Sequence, residues 1–352
     1  MLNKKVLCFA LVGVFGVGAA LPAPIFAANM NAKQYAQYKA IKEAKEIRDA
    51  VAQKQAFEAK VLQYYKAGLQ AYINKNYSQC IQYLTESHVM AKYQGQKDYN
   101  VALGESYRQQ KNINMALQYQ LKAFNLGATD YATVSGIGYN YMDLNNYQKA
   151  YPYLLKASQM YPNKVELQWD LGVTCLNLNN EAGVLSSMKK VIALQPNYHP
   201  DAYIYIGNVY DNHQRYADSL AVFKTGLNYF ANEGLLWFRA GNSCYQSGYY
   251  TDAIPYLQKA AELLPQNLDV YYELGFSYLN LDDTNDAAEI CNIMSKIAPK
   301  DGRTVELSNA VNQRIMQKQM EEQMRIDQIN QDIQQQQEEA NRAAEQAAAG
   351  VM

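Results

Sequence analysis

The chain has 352 residues, 49% of them apolar and 18% charged, with a formal net charge of −1. That composition is globular rather than disordered, and so small a charge gives no electrostatic basis for holding nucleic acid or an anionic membrane surface. Tyrosine is over-used, 31 against 9 phenylalanines, which predicts many half-exposed rings with their hydroxyls in water.

The chain opens on a short basic stretch, "MLNKK", followed by an apolar run, "VLCFALVGVFGVGAAL", that ends at Pro22. "PIFA" then places Ile25 and Ala27 where a signal peptidase accepts small or aliphatic residues. This three-part form predicts a secretory signal over residues 1–27, cleaved after Ala27 or Ala28. An uncleaved anchor is the competing reading, but the run is short and rich in glycine for a span. Cys8 stands at the front of the run, not at its end, which argues against a lipoprotein signal. No later stretch is apolar enough to cross a bilayer. An exported chain, periplasmic or extracellular, is expected, with no stable membrane span after cleavage.

Residues 28–60 are dominated by Ala, Lys and Glu without a breaker, which predicts one helix. From residue 61 to 300 the chain repeats itself. "LGESY" starts at Leu103, "IGYNY" at Ile137, "LGVTC" at Leu171, "IGNVY" at Ile206, "AGNSC" at Ala240 and "LGFSY" at Leu274. The steps are 34, 34, 35, 34 and 34 residues, and a weaker copy begins 36 residues earlier at Ala67. Twelve residues after each small Gly comes a small or short side chain: Cys80, Ala116, Ala150, Val184, Ser219, Ala253 or Ala287. Several copies close on proline, at Pro162, Pro196, Pro265 and Pro299. Within a copy the apolar residues recur at helical spacing, as in Tyr203, Ile206 and Tyr210. Polar breaks such as "DLNNYQKA" separate two helices, and the proline ends the second. Each unit is a helix pair too small to bury its own face, so neighbours must stack to complete a core.

Six successive matches to W-x2-L-G-x2-Y, A-x3-F and a closing Pro at one period resemble the tetratricopeptide repeat family. The resemblance covers residues 61–300 as about seven repeats. It implies an all-α fold, a right-handed superhelical solenoid of helix-turn-helix repeats, with flanking N- and C-terminal helices. It also implies a groove lined by first-helix positions 2, 5, 6, 9, 12 and 13, counting the Leu or Ile before the small Gly as 7. In this chain those positions hold Tyr139 in the third repeat, and Trp169 and Asp170 in the fourth. The fifth adds Asp201, Tyr205, Asn208 and Asn212. The sixth adds Phe238, Arg239, Asn242 and Gln246, and the seventh Tyr272, Glu273 and Asn280. Asn208 and Asn242 share position 9 of adjacent repeats, where an amide can donate to and accept from a peptide backbone. Trp169, Tyr205, Phe238 and Tyr272 supply the aromatic surface that dominates binding hot spots. Position 5 is never Lys and Arg239 stands alone, so a carboxylate-ended peptide is not implied. The amide, aromatic and mildly acidic lining suits a neutral or basic segment.

Cys80, Cys175, Cys244 and Cys291 all occupy packing slots of the repeat and read as small buried hydrophobes. Their spacing fits neither a disulfide framework nor a zinc site. The three histidines form no H-E-x-x-H arrangement. His88 and Cys80 are expected on one second helix, where a catalytic dyad has little support. No nucleophile elbow or phosphate loop occurs. The expected protein is not an enzyme and has no cofactor; its partner is a protein or a peptide. Residues 301–352 are expected as a Gln- and Glu-rich helical tail with a disordered end. There Met316, Met320 and Met324, with Ile326, Ile329 and Ile333, form a narrow apolar stripe. A structural envelope component that self-assembles through this helix is the second reading.

Overall fold

The computed structural model describes residues 31–349. Sixteen helices and no strand occur among the described residues. The signal expected at residues 1–27 lies outside them. The chain divides in the turn after Gln110 into two compact units. Unit 1 holds α1 (Ala32–Ile73), α2 (Tyr77–Leu84), α3 (Ser87–Tyr93) and α4 (Lys97–Gln109). Unit 2 holds α5 (Ile113–Asn125), α6 (Tyr131–Asp143), α7 (Tyr147–Met160), α8 (Val165–Asn177) and α9 (Glu181–Leu194). It continues with α10 (Asp201–Asn212), α11 (Tyr216–Leu227), α12 (Gly234–Gln246), α13 (Tyr250–Leu263), α14 (Leu268–Asn280), α15 (Thr284–Ile297) and α16 (Gly302–Ala349).

The fold is all-α, built from helix pairs at the period of the sequence repeat. The four closing prolines each lie two residues past the end of a second helix, after Met160, Leu194, Leu263 and Ile297. The close approach of paired helices explains the small slot at position 8. A methyl group on Gly138 would come within 2.6 Å of Leu154, and one on Gly241 within 2.7 Å of Leu257. Both distances are far inside van der Waals contact, so only hydrogen fits.

The turn between paired helices is as regular as the helices. Position 15 is left-handed in all seven copies: Lys75, Lys111, Asn145, Asn179, Gln214 and Asp282 have φ between 53° and 63°, and Gly248 has φ 78°. Position 16 then caps the second helix. The side chains of Asn76, Asn112, Asn146, Asn180 and Asp283 each accept a hydrogen bond from the backbone N–H three residues on. Arg215 and Tyr249 hold that position without a side-chain cap.

Position 4, the Trp slot of the pattern, has a matching role at the other end of the pair. Asn100, Gln168, Tyr203, Trp237 and Tyr271 each donate to a backbone carbonyl in the loop before the first helix. The acceptors are Gln94, Pro162, Pro196, Ala231 and Pro265, at 2.9, 3.1, 2.9, 2.7 and 3.4 Å. Four side-chain types thus satisfy one recurring loop carbonyl, which otherwise loses its partner as the repeats stack.

The structure departs from expectation at the N-terminal end. The limit placed at residue 60 falls inside α1, which runs unbroken to Ile73. The first repeat's second helix is split, so Cys80 lies on α2 and His88 on α3, not on one helix. Glu86 makes the break by accepting from the N–H groups of His88 and Val89 at 3.0 and 3.1 Å. At the C-terminal end α16 begins 34 residues after α14. Its first turns enter the core, with Thr304, Leu307 and Val311 buried, while every side chain described beyond Lys318 is exposed. Ala347–Ala349 complete the helix, and residues 350–352 lie outside the described residues.

Candidate functional site

In unit 2 the first helices α6, α8, α10, α12 and α14 carry the residues expected to bind. Stacking places the same helix positions of successive repeats side by side, so residues 30 to 35 apart in sequence become neighbours. At α12 and α14, Asn242 Nδ2 donates to Glu273 Oε1 at 2.6 Å. Glu273 is only 8% exposed, and its second oxygen has no partner. Burial pushes its carboxyl up to about 7, against the lowering effect of the Asn242 bond. Arg239 lies over the ring of Phe238, 5.8 Å from its centre, and its Nε is also buried without a partner. Asn242 therefore has one of its two amide N–H donors committed to a neighbouring repeat.

At α6 and α8, burial is the main cause that raises the Asp170 carboxyl to about 6, while a hydrogen bond from the Tyr139 hydroxyl lowers it. Tyr139 also pairs its hydroxyl with that of Tyr131 at 3.3 Å. Trp169 lies among rings: His199 at 4.5 Å, Tyr198 at 5.9 Å and Tyr205 at 6.0 Å between centres. Asp201 opens α10, with its N–H donating to His199 Nδ1 at 3.2 Å. Asp211 is raised too, chiefly by burial; Ser243 donates to it at 3.3 Å from the next repeat. The face is thus a row of aromatic rings interrupted by half-buried carboxyls that ionise reluctantly.

An open pocket of about 350 Å³ lies where repeats four and five meet. Tyr205, Asn208 and Asn212 of α10 form one wall. Asn179 and Asn180 of the turn and Glu181 of α9 form the other, over an apolar floor of Leu176, Val184 and Val209. Asn212 donates to Glu181 at 3.3 Å, and His213 pairs with the same carboxylate at 2.7 Å. Asn208 makes no side-chain hydrogen bond among the described residues, so its whole amide is free to face the pocket.

The fourteen expected residues are thus not equivalent. Tyr205, Asn208 and Asn212 share one cavity. Trp169, Asp170 and Tyr139 lie along the neighbouring first helices. Phe238 and Glu273 are buried, so they back the face and do not present on it: Phe238 packs into the core of α12 to α16. Tyr272 packs on Phe276 at 4.7 Å. Gln246 and Asn280 are exposed at their helix ends, with Asn280 bonded to its own helix at the Phe276 carbonyl. First-helix positions alone could not give Asn179, Asn180 and Glu181, which come from the turn and the second helix. The recurrent polar turn was their only signal. The four cysteines are free and buried, and burial pushes Cys175 and Cys244 up to about 11. No group of three metal-ligating side chains occurs among the described residues, and no helix there is long and apolar enough to cross a membrane.

Family models described as tetratricopeptide repeat match residues 135–164, 205–268 and 245–307. The chain is similar to the peroxisomal targeting signal receptor of Kluyveromyces lactis, 25% identical over 128 residues, or 36% of this chain. The aligned stretch spans 22% of the receptor's length. Among solved structures, MamA from Desulfovibrio magneticus RS-1 is 20% identical with a TM-score of 0.43, covering 49% of this chain and 97% of that one. A chain of the APC/C hetero-tetramer Cut9–Hcn1 is 17% identical with a TM-score of 0.40, covering 65% and 45%. The family matches and the helix-pair spacing show that the chain contains tetratricopeptide repeats, matched over residues 135–164 and 205–307.

Proposed function

We propose that the protein is a non-catalytic scaffold that holds a partner protein, through an extended segment, on the first-helix face of unit 2. The observation that carries this reading is the open pocket formed by Tyr205, Asn208 and Asn212 beside the aromatic row at Trp169. A free amide above an apolar floor can pair with a peptide backbone while the floor receives a side chain. The reluctant carboxyls at Asp170 and Asp211 favour a neutral or basic segment. A curated relative is by name a receptor for a targeting signal, which agrees in class. The test selects peptides by display on the intact chain and measures their affinity for Tyr205→Ala with Asn208→Ala. A loss of about tenfold or more is expected, equal to about 1.4 kcal/mol, with helicity unchanged. Equal affinity for both proteins would remove the pocket from the site.

The compartment is part of the proposal and rests on the sequence of residues 1–27: the protein works after export, in a bacterial-type envelope or in the surrounding medium. Protein recovered there is expected to begin at Ala28 or Asn29; a chain still beginning at Met1 would overturn the cleaved form. A second reading, self-assembly through α16, is favoured by the exposed Met and Ile stripe of that helix.

A further inference from the structure

Two helices of this chain carry long, almost wholly exposed stretches; on α1 the Phe57 ring meets that of His88 at 4.7 Å between centres. From Ala32 to Lys60 only Tyr38 of α1 is even half-buried, and from Gln319 on, every described side chain of α16 is exposed. Each stretch is about 40 Å long at 1.5 Å per residue. Each also carries an apolar seam. On α1 it is formed by Ile47, Val51, Phe57 and Val61, interrupted by the charged Lys54 midway between Val51 and Phe57; on α16, Ile326, Ile329 and Ile333 follow at three and four. The exposed members Ile47, Val51, Phe57, Ile326, Ile329 and Ile333 are 42% to 65% accessible. Seams of this period suit cover by another helix in a two-stranded arrangement.

The charges decide which helix covers which. Residues 32–60 carry seven basic and four acidic side chains. Residues 319–344 carry six acidic and two basic ones. Two copies of the α16 stretch side by side would set like charges against each other, as would two of α1. The mixed pair is attractive along its length. A receiving notch exists on α1: a cavity of about 390 Å³ between α1 and α3, with Phe57, Val61 and Ala91 as apolar lining and Lys54, Lys92, His88 and one carboxylate, Glu58, beside it.

We propose that the exposed stretch of α16 docks along α1 of a second copy of this chain, with its isoleucine seam against Ile47, Val51 and Phe57 and its carboxylates against the lysines. This deepens, and rests on, the reading that the chain self-assembles through α16. It names α1 as the surface that receives it.

The test uses the intact chain and three variants. One carries Lys45→Glu, Arg48→Glu and Lys54→Glu; one carries Glu322→Lys, Asp327→Lys and Asp332→Lys; one carries all six. All six positions are exposed, and circular dichroism checks that helicity is kept. In sedimentation velocity the intact chain is expected to assemble at low salt and to dissociate at high salt. Each three-residue set alone should weaken assembly by about tenfold or more, and the six-residue variant should restore it. An assembly that survives reversal on α1 overturns the proposal. If that assembly is lost when the chain ends at Lys318, self-assembly through α16 stands without α1. A monomer at every concentration overturns both.

Discussion

At the scale of single residues, the chemistry of this protein is that of carboxyls kept from water by their neighbours. Glu273 is the clearest case. It ionises near 4.5 in an open chain and near 7 when folded, because burial disfavours its charged form more than the Asn242 hydrogen bond favours it. The sign of the linkage follows. Below pH 4.5 both states hold the proton and nothing is lost. Between about 4.5 and 7 the unfolded chain releases the proton first, so stability falls as pH rises, and above 7 the loss is complete. A shift of that size corresponds to about 3 kcal/mol as an upper order of magnitude. Glu273→Gln keeps an acceptor for Asn242 Nδ2 and removes the ionisation. Thermal melts are therefore expected to coincide with the parent near pH 4.5 and to lie several degrees above it at pH 8. Parallel curves at all pH values would show that Glu273 does not ionise with difficulty. The residue scale is also where the sequence was least legible. Glu273 and Phe238 sit at groove positions, yet helix register cannot tell a side chain on a face from one beneath it. That difference depends on the size of residues in the next repeat. Asn242 looks like Asn208 in sequence, yet the neighbouring Glu273 occupies one of its two amide donors.

At the scale of helices and turns, the repeat is a rule with exceptions, and the exceptions mark where stability can be added. Position 15 needs a left-handed residue in every copy, but only Gly248 is a glycine. A side chain there costs about 1 kcal/mol, less for Asn or Asp. Position 16 needs a short acceptor to cap the second helix, and Arg215 and Tyr249 do not supply one. Gln214→Gly with Arg215→Asn corrects both defects in one turn. Together they should raise stability by about 1–2 kcal/mol, read as a higher Tm, with no change in peptide affinity. A lower Tm would mean that the contacts of Arg215, with the Tyr210 ring at 4.6 Å and the Asp218 carboxylate at 2.7 Å, outweigh the cap. The helix pairs themselves were legible because the small slot, the closing proline and the 34-residue step each have one physical cause. The split of the first second helix was not, since "TESH" holds no breaker. Its one trace was the 36-residue step from Ala67 to Leu103: two extra residues in a fixed period must be placed somewhere, and they fall in the turn capped by Glu86.

At the scale of the whole molecule, a stacked array has ends, and an end must be covered or it frays. α16 begins one full period after α14, so its first turns stand where the first helix of another repeat would stand. Leu307 lies against Gly275 and Ile290, and Val311 is buried with it. Arg314 and Lys318 then pair with Asp282 at 2.7 and 3.1 Å, in the turn between α14 and α15. One helix therefore has two roles divided near Lys318: cover for the last repeat before it, and the unpacked, acidic stretch after it. Two truncations separate them. A chain ending at Lys318 keeps every buried residue of α16, and its Tm is expected to match that of the monomeric parent within about a degree, because exposed surface adds little to stability. A chain ending at Pro299 loses Leu307 and Val311 and bares the face of α14 and α15. Removing buried side chains of that size costs about 2–5 kcal/mol each in a packed core. Because each repeat is held mainly by its neighbours, that loss should appear as early fraying of α14 and α15 ahead of the main transition. Hydrogen exchange followed by mass spectrometry reads it directly: fast exchange confined to residues 268–297 in the shorter chain, and protection there in the longer one. Equal protection in both would mean that the seventh repeat closes the array by itself and that α16 is not its cover.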